Sequence, residues 1–208
     1  MTYAQALKSA LLDQLGPTWL TFFPKWDVQR KGPWQGKAGA KPVALLLHHT
    51  ASAATSSTNP AAAGNQWGAN ASVINYIQNH PYGVPAANFT LDRDGRVYVH
   101  ASMPINHAGL GSFKGKAPWS VLGVPADRGN DWMLGVEIMD KGLSATSITE
   151  AQKDSLVFLL RACRHASGWA TIGELHRPQH RDWTQRKIDL RVSNAEVGRW
   201  ITRYGFAA

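Results

Sequence analysis

Hydrophobic positions along this chain follow two spacings, and each spacing predicts a kind of element. Near the start, Tyr3, Leu7, Leu11 and Leu15 recur every fourth residue, as on one face of a helix. Thr2 stands ahead of them as an N-cap, and Gly16-Pro17 is a stop signal. An aromatic segment follows (Trp19, Phe22, Phe23, Trp26), then a connection rich in Lys, Gly and Gln from Arg30 to Lys41. A lone helix of this length does not hold itself in water. Residues 1–41 are therefore expected to form an extension packed on a main domain that spans 42–208.

From Pro42 onward the apolar runs shorten. Val43-Ala44-Leu45-Leu46-Leu47 is continuous and of strand length, as expected for a fully buried strand. Residues Ala51 to Gly68 are rich in Ala, Ser, Thr, Asn and Gly and predict a long loop. Asn70 is placed to cap a helix through His80, with Val73, Ile74 and Ile77 inward. Two short strands, around Asn88–Leu91 and Arg96–His100, flank the hairpin turn Asp92-Arg93-Asp94-Gly95. Met103 to Asp131 predicts mostly loop, and Met133 to Met139 a strand. Thr149 with Gln152 forms a capping box for a helix ending near Gly168. Ser193 with Glu196 forms another, opening a helix with Val197, Trp200, Ile201 and Tyr204 on one face. Strands interleaved with helices predict an α/β fold: a single domain with a central mixed β-sheet flanked by helices.

Composition narrows the function. A chain of 208 residues, 44% hydrophobic and 17% charged, suits a soluble globular domain with a sizeable core. The net charge of +8 favours an anionic partner: nucleic acid, acidic cell-wall polymer or anionic lipid. The basic residues are scattered and no nucleic-acid motif is present, which argues against nucleic acid. The single cysteine, Cys163, excludes an intrachain disulfide framework and a thiolate metal cluster. It shares a helix face with Leu156, Leu159 and Leu160, as a buried structural thiol does. Neither a basic-then-apolar leader nor a run long enough to cross a bilayer is visible. The expectation is a monomer made in the cytoplasm, without membrane insertion.

The chemistry concentrates in His180-Arg181-Asp182-Trp183 through Arg186-Lys187-Ile188-Asp189, a polar stretch read as a loop. A zinc site takes imidazole nitrogen or carboxylate oxygen, with three protein ligands and one open position. His180 and Asp189 supply two candidates, and His48, at the end of the first buried strand, is the best third. Glu137 interrupts another apolar strand, and a carboxylate there is costly unless paired, hydrated or near a cation. In metal-assisted hydrolysis such a Glu takes the proton of the attacking water. Lys187 is placed to stabilise the oxyanion that forms as water adds to a carbonyl. Neither H-E-x-x-H nor G-x-S-x-G occurs, so the common zinc-protease and serine-hydrolase layouts lack support.

These residues resemble the zinc-dependent type 2 N-acetylmuramoyl-L-alanine amidases, whose fold is shared with peptidoglycan recognition proteins. Leu45-Leu46-Leu47-His48-His49-Thr50-Ala51 resembles that family's first-ligand strand, and Asn88 through Tyr98 its hairpin. His107-Ala108-Gly109 with Gly135-Val136-Glu137 is similar to its His-Ala-Gly and Gly-Ile-Glu pair, and His180 to Asp189 to its closing zinc loop. The resemblance covers about residues 43 to 204. It implies His48, His180 and Asp189 as Zn2+ ligands, Glu137 as general base and Lys187 as transition-state stabiliser. It further implies His107, His49 and Asn88 as substrate contacts. Gln179 stands where a Gly is usual, Leu190 replaces a Pro, and the His180–Asp189 spacing is a residue short. His176 therefore stays an alternative to His180, as His49 does to His48.

The implied activity is hydrolysis of the amide between N-acetylmuramic acid and L-alanine in peptidoglycan. With the basic charge and the expected lack of a leader, it suggests a bacteriolytic phage endolysin. A cytosolic amidase recycling muropeptides and a peptidoglycan-binding module without catalysis are the alternatives.

Overall fold

The computed structural model describes residues 1–27, 41–50, 66–102, 104–140, 147–190 and 192–205. Among them a five-stranded sheet runs in the order β1-β4-β3-β5-β2. Its strands are β1 (Leu20–Phe22), β2 (Ala44–His49), β3 (Phe89–Leu91), β4 (Val97–Val99) and β5 (Met133–Ile138). The sheet is mixed: β2, β5 and β3 are parallel neighbours, β3 and β4 form an antiparallel hairpin, and β1 runs parallel to β4. In the hairpin turn the Asp92 carboxylate accepts from the backbone N–H of Asp94 and Arg96, and Gly95 takes the left-handed conformation.

The helices are α1 (Tyr3–Leu15), α2 (Gln66–Gln78), α3 (Gly129–Trp132), α4 (Glu150–Ser167), α5 (His180–Trp183) and α6 (Asn194–Thr202). Strand alternation divides the sheet into two unlike faces. Leu45, Leu47, Leu134, Val136, Ile138, Phe89, Leu91, Val97 and Val99 point to one side, into a core with α1, α4 and α6. That core includes Leu7, Leu11, Leu156, Leu160, Val197 and Ile201, with Cys163 buried among them. Ala44, Leu46 and Met133 point to the other side, where Trp183, Phe113 and Trp119 pack on them.

Caps explain where the helices start. Thr2 and Gln5 make a reciprocal capping box for α1, and Thr149 and Gln152 make one for α4. Gln152 also donates to the Met139 and Leu91 carbonyls, fastening the head of α4 to the sheet. α6 has only half of its expected box. Ser193 accepts from the Glu196 N–H, but the Glu196 carboxylate turns instead to Arg199 and the Trp200 indole.

Other expectations need correcting. β1 was not expected; a segment read only as aromatic pairs with the outer edge of β4, and α1 packs along α4. α2 begins by Gln66, so position 70 lies inside the helix and not at its start. The stretch before β5 contains α3 and a 3-10 turn at Trp119–Leu122. The polar stretch at 180 opens with a helical turn, α5, and is not loop throughout. The connection expected at 30–41, apart from Lys41, and most of the loop expected at 51–68 lie outside the described residues. No helix among the described residues is long and apolar enough to cross a membrane.

Candidate active site

The site lies on the second face of the sheet, at the C-terminal ends of β2 and β5. In the parallel register His48 lies directly across from Glu137, so the two side chains share a face and a level. His180 and Asp189 are brought over them by α5 and the segment after it. Trp183 anchors α5: its indole is fully buried, stacks edge-on against Phe113 at 4.9 Å, and donates to the Gly109 carbonyl. Gly111 and Gly129 leave the room it needs, since a Cβ there would meet the indole at 2.6 and 3.0 Å. The Arg181 N–H donates to the Asp189 carbonyl at 2.9 Å, closing the chain so that Asp189 returns to His180.

Three electron-pair donors converge as a result. His48 Nδ1 lies 2.8 Å from His180 Nδ1, which lies 3.0 Å from Asp189 Oδ2. All three ligand atoms fall within 4.8 Å of one another, and all three residues are buried. The outer nitrogens fix the protonation of the rings. His180 Nε2 sits 3.0 Å from the Ala108 carbonyl, which can only accept, so Nε2 carries the hydrogen. His107 Nε2 likewise donates to the Met133 carbonyl at 3.0 Å, leaving its Nδ1 to accept from His48 Nε2 at 3.3 Å. In its neutral form each of the two rings therefore turns a bare Nδ1 lone pair toward the Asp189 carboxylate. Lone pairs this close repel unless a cation lies between them, so the group fits a metal ion.

The electrostatics agree. Burial, followed by the neighbouring His180 and His107, holds the His48 imidazole well below its ordinary value, in the neutral form that can ligate. Burial and then the Asp189 carboxylate push Glu137 up to about 8, while Lys187 pulls the other way. Glu137 Oε2 is buried with no hydrogen-bond partner among the described residues. Lys187 is exposed on the lip of the same cleft, a cavity of about 820 Å³ that also reaches His48, His180 and Asp189.

The structure resolves the competing histidines differently. His176 stacks flat on Trp169 and its Nδ1 bonds the Val43 carbonyl, so it is spent on packing away from the group. His49 falls on the opposite strand parity from His48, yet at the strand end its Nε2 still comes 3.5 Å from Asp189 Oδ1, and it lines the cleft. His107 also lines the cleft, but both its ring nitrogens are engaged and it buttresses His48. Asn88 is fully buried outside the cleft, its amide donating to the Ala101 carbonyl and accepting from the Gly135 N–H, so it ties the sheet together. Gln179, in place of the usual Gly, anchors the segment by donating to the Val192 carbonyl and Asn194.

The cleft has two walls, and sequence reasoning missed the aromatic one. In it Tyr76 and Tyr82, 58% and 74% exposed, flank His80, their ring centroids 5.3 and 4.8 Å from that of the imidazole. The Tyr76–His80 spacing of four on a helix end was the available signal. The other wall is basic, with Arg186 beside Lys187.

Comparison with known proteins places the chain in a family and its fold among solved ones. Residues 38–191 match the family model described as N-acetylmuramoyl-L-alanine amidase. Two solved structures share the fold. One is an endolysin N-acetylmuramoyl-L-alanine amidase, LysCS, from Clostridium intestinale URNW, 17% identical over 86% of this chain and 93% of its own, with a TM-score of 0.50. The other is the Ph2119 endolysin from the Thermus scotoductus MAT2119 bacteriophage Ph2119, 18% identical over 87% and 99%, with a TM-score of 0.50. No curated protein matches the chain significantly.

Proposed function

The chain belongs to the N-acetylmuramoyl-L-alanine amidase family, and we propose that it is a zinc-dependent endolysin whose site is built from His48, His180, Asp189, Glu137 and Lys187. The activity of the family is hydrolysis of the amide joining N-acetylmuramic acid to L-alanine in peptidoglycan. The observation that carries the proposed site is the convergence of His48 Nδ1, His180 Nδ1 and Asp189 Oδ2 on one point beside Glu137. Two imidazole nitrogens and a carboxylate oxygen suit Zn2+, and the open cleft leaves a further position for water or substrate.

Zinc held by His48, His180 and Asp189 would supply a Lewis acid that polarises a carbonyl and lowers the pKa of water to about 7. The rest is the work of the side chains. Glu137, on the sheet level of His48, takes a proton from the attacking water as its oxygen bonds the lactyl carbonyl carbon. The same carboxyl returns that proton to the alanine nitrogen as the C–N bond breaks. A base whose pKa lies near the working pH serves both halves of that exchange, and burial tunes Glu137 in that direction. Lys187, on the cleft lip, meets the negative charge that gathers on the carbonyl oxygen. His107 keeps His48 in the tautomer that presents Nδ1.

The endolysin role draws on the names of the structural relatives and on the +8 charge, which favours approach to an anionic wall. The test is incubation of the purified protein with intact sacculi and, separately, with soluble anhydro-muropeptides. New N-terminal L-alanine from sacculi, abolished by chelation and restored by zinc, is the expected result. Turnover of the soluble fragments alone identifies a recycling enzyme instead, and binding without new N-termini rules out catalysis.

A further inference from the structure

Asn130, the second residue of α3, lies at the edge of the cleft and belongs to none of the ligand or catalytic positions. Its side-chain Oδ1 accepts from two successive backbone N–H groups, His107 at 2.8 Å and Ala108 at 2.7 Å. Those two residues are the ones that hold the ligand imidazoles: His107 Nδ1 accepts from His48 Nε2, and the Ala108 carbonyl accepts from His180 Nε2. A single carboxamide oxygen thus fixes the dipeptide that orients both rings. The fit on the other side is equally close. A Cβ at Gly135 would lie 2.5 Å from the His107 ring, and one at Gly129, next to Asn130, 2.6 Å from the Ala108 Cβ. The dipeptide is pressed between glycine backbones and has no slack to take up if its anchor goes.

We propose that Asn130 is a positioning residue for the metal centre, holding His48 and His180 in place through the His107-Ala108 backbone. This rests on the metal reading of the site. Partners of this kind beyond the ligands are worth about 10–100-fold in metal affinity or activity.

The experiment compares wild type, Asn130→Ala and Asn130→Asp, measuring zinc affinity by chelator competition and the visible spectrum of the cobalt(II)-substituted proteins. Asn130→Ala is expected to bind zinc at least about tenfold more weakly, with an altered cobalt band. Asn130→Asp keeps an oxygen that accepts both N–H groups, so it should bind zinc as tightly as wild type and restore the band. Wild-type affinity and spectrum in Asn130→Ala, with only a lower melting temperature, overturn the inference. So does a folded Asn130→Asp that binds weakly, which decides the matter even if Asn130→Ala does not fold. A wild-type protein that takes up neither metal overturns the metal reading, and this inference falls with it.

Discussion

The two faces of the sheet are made from the same strands and follow opposite rules. On the face toward α1, α4 and α6, β5 presents Leu134, Val136 and Ile138 to an aliphatic core in which each residue acts by excluding water. On the other face the same strand presents Gly135 and Glu137, one chosen for the absence of a side chain and the other for a charge that its burial opposes. The first face is stable by bulk and tolerates exchange of like for like. The second is defined by hydrogen bonds and close approaches.

Substitutions within β5 separate the two roles. The largest effect is expected from Glu137→Gln: turnover should fall by about 10²–10⁴ in kcat, with zinc content and melting temperature kept. An active variant would place the base elsewhere, and an unfolded one would make this face structural. Leu134→Ala, on the opposite face of the strand, should cost about 2–5 kcal/mol in denaturant unfolding. Its activity per folded molecule should stay near wild type; a selective loss of turnover would mean that the faces are coupled.

A third measurement reads the charge itself. In the metal-free protein Glu137 keeps its proton up to about pH 8, whereas the unfolded chain releases it near the ordinary carboxylate value. Unfolding therefore releases a proton across that window, and stability falls as pH rises. Between pH 6.5 and 8 the loss should reach at most about 2 kcal/mol, and Glu137→Gln should flatten it. His48, His100 and His176, held below their ordinary value by burial, give the opposite slope only below about pH 6.5. A flat profile for wild type would show that Glu137 is solvated. The smallest effect belongs to the aliphatic side: Thr149→Ala removes the α4 cap and should cost about 1 kcal/mol by thermal unfolding.

Period-four spacing and caps such as Thr149–Gln152 made the helices of the aliphatic face legible from the chain alone, and continuous apolar runs its strands, because both signals are local. The polar face was legible only where chemistry is unusual in its setting, as with Glu137 inside an apolar run or His48 at the end of one. The Asn88 amide is used between strands, a role that only the sheet register reveals. Asn130 was invisible for a related reason: it acts on backbone N–H groups 22 and 23 positions away, and backbone leaves no trace in residue identity. β1 escaped because three residues carry too little alternation, and its strand character comes from the edge it meets.

That edge has a practical meaning. The family match starts at 38, yet Leu20–Phe22 covers the outer side of β4 and α1 lies along α4. A fragment cut at the family boundary would leave a row of unpaired amides on β4 next to bared leucines, a template for other chains to add to. Expression trials beginning near residue 38 should yield aggregate, and a working enzyme should need its first 27 residues for solubility although none of them touches the chemistry.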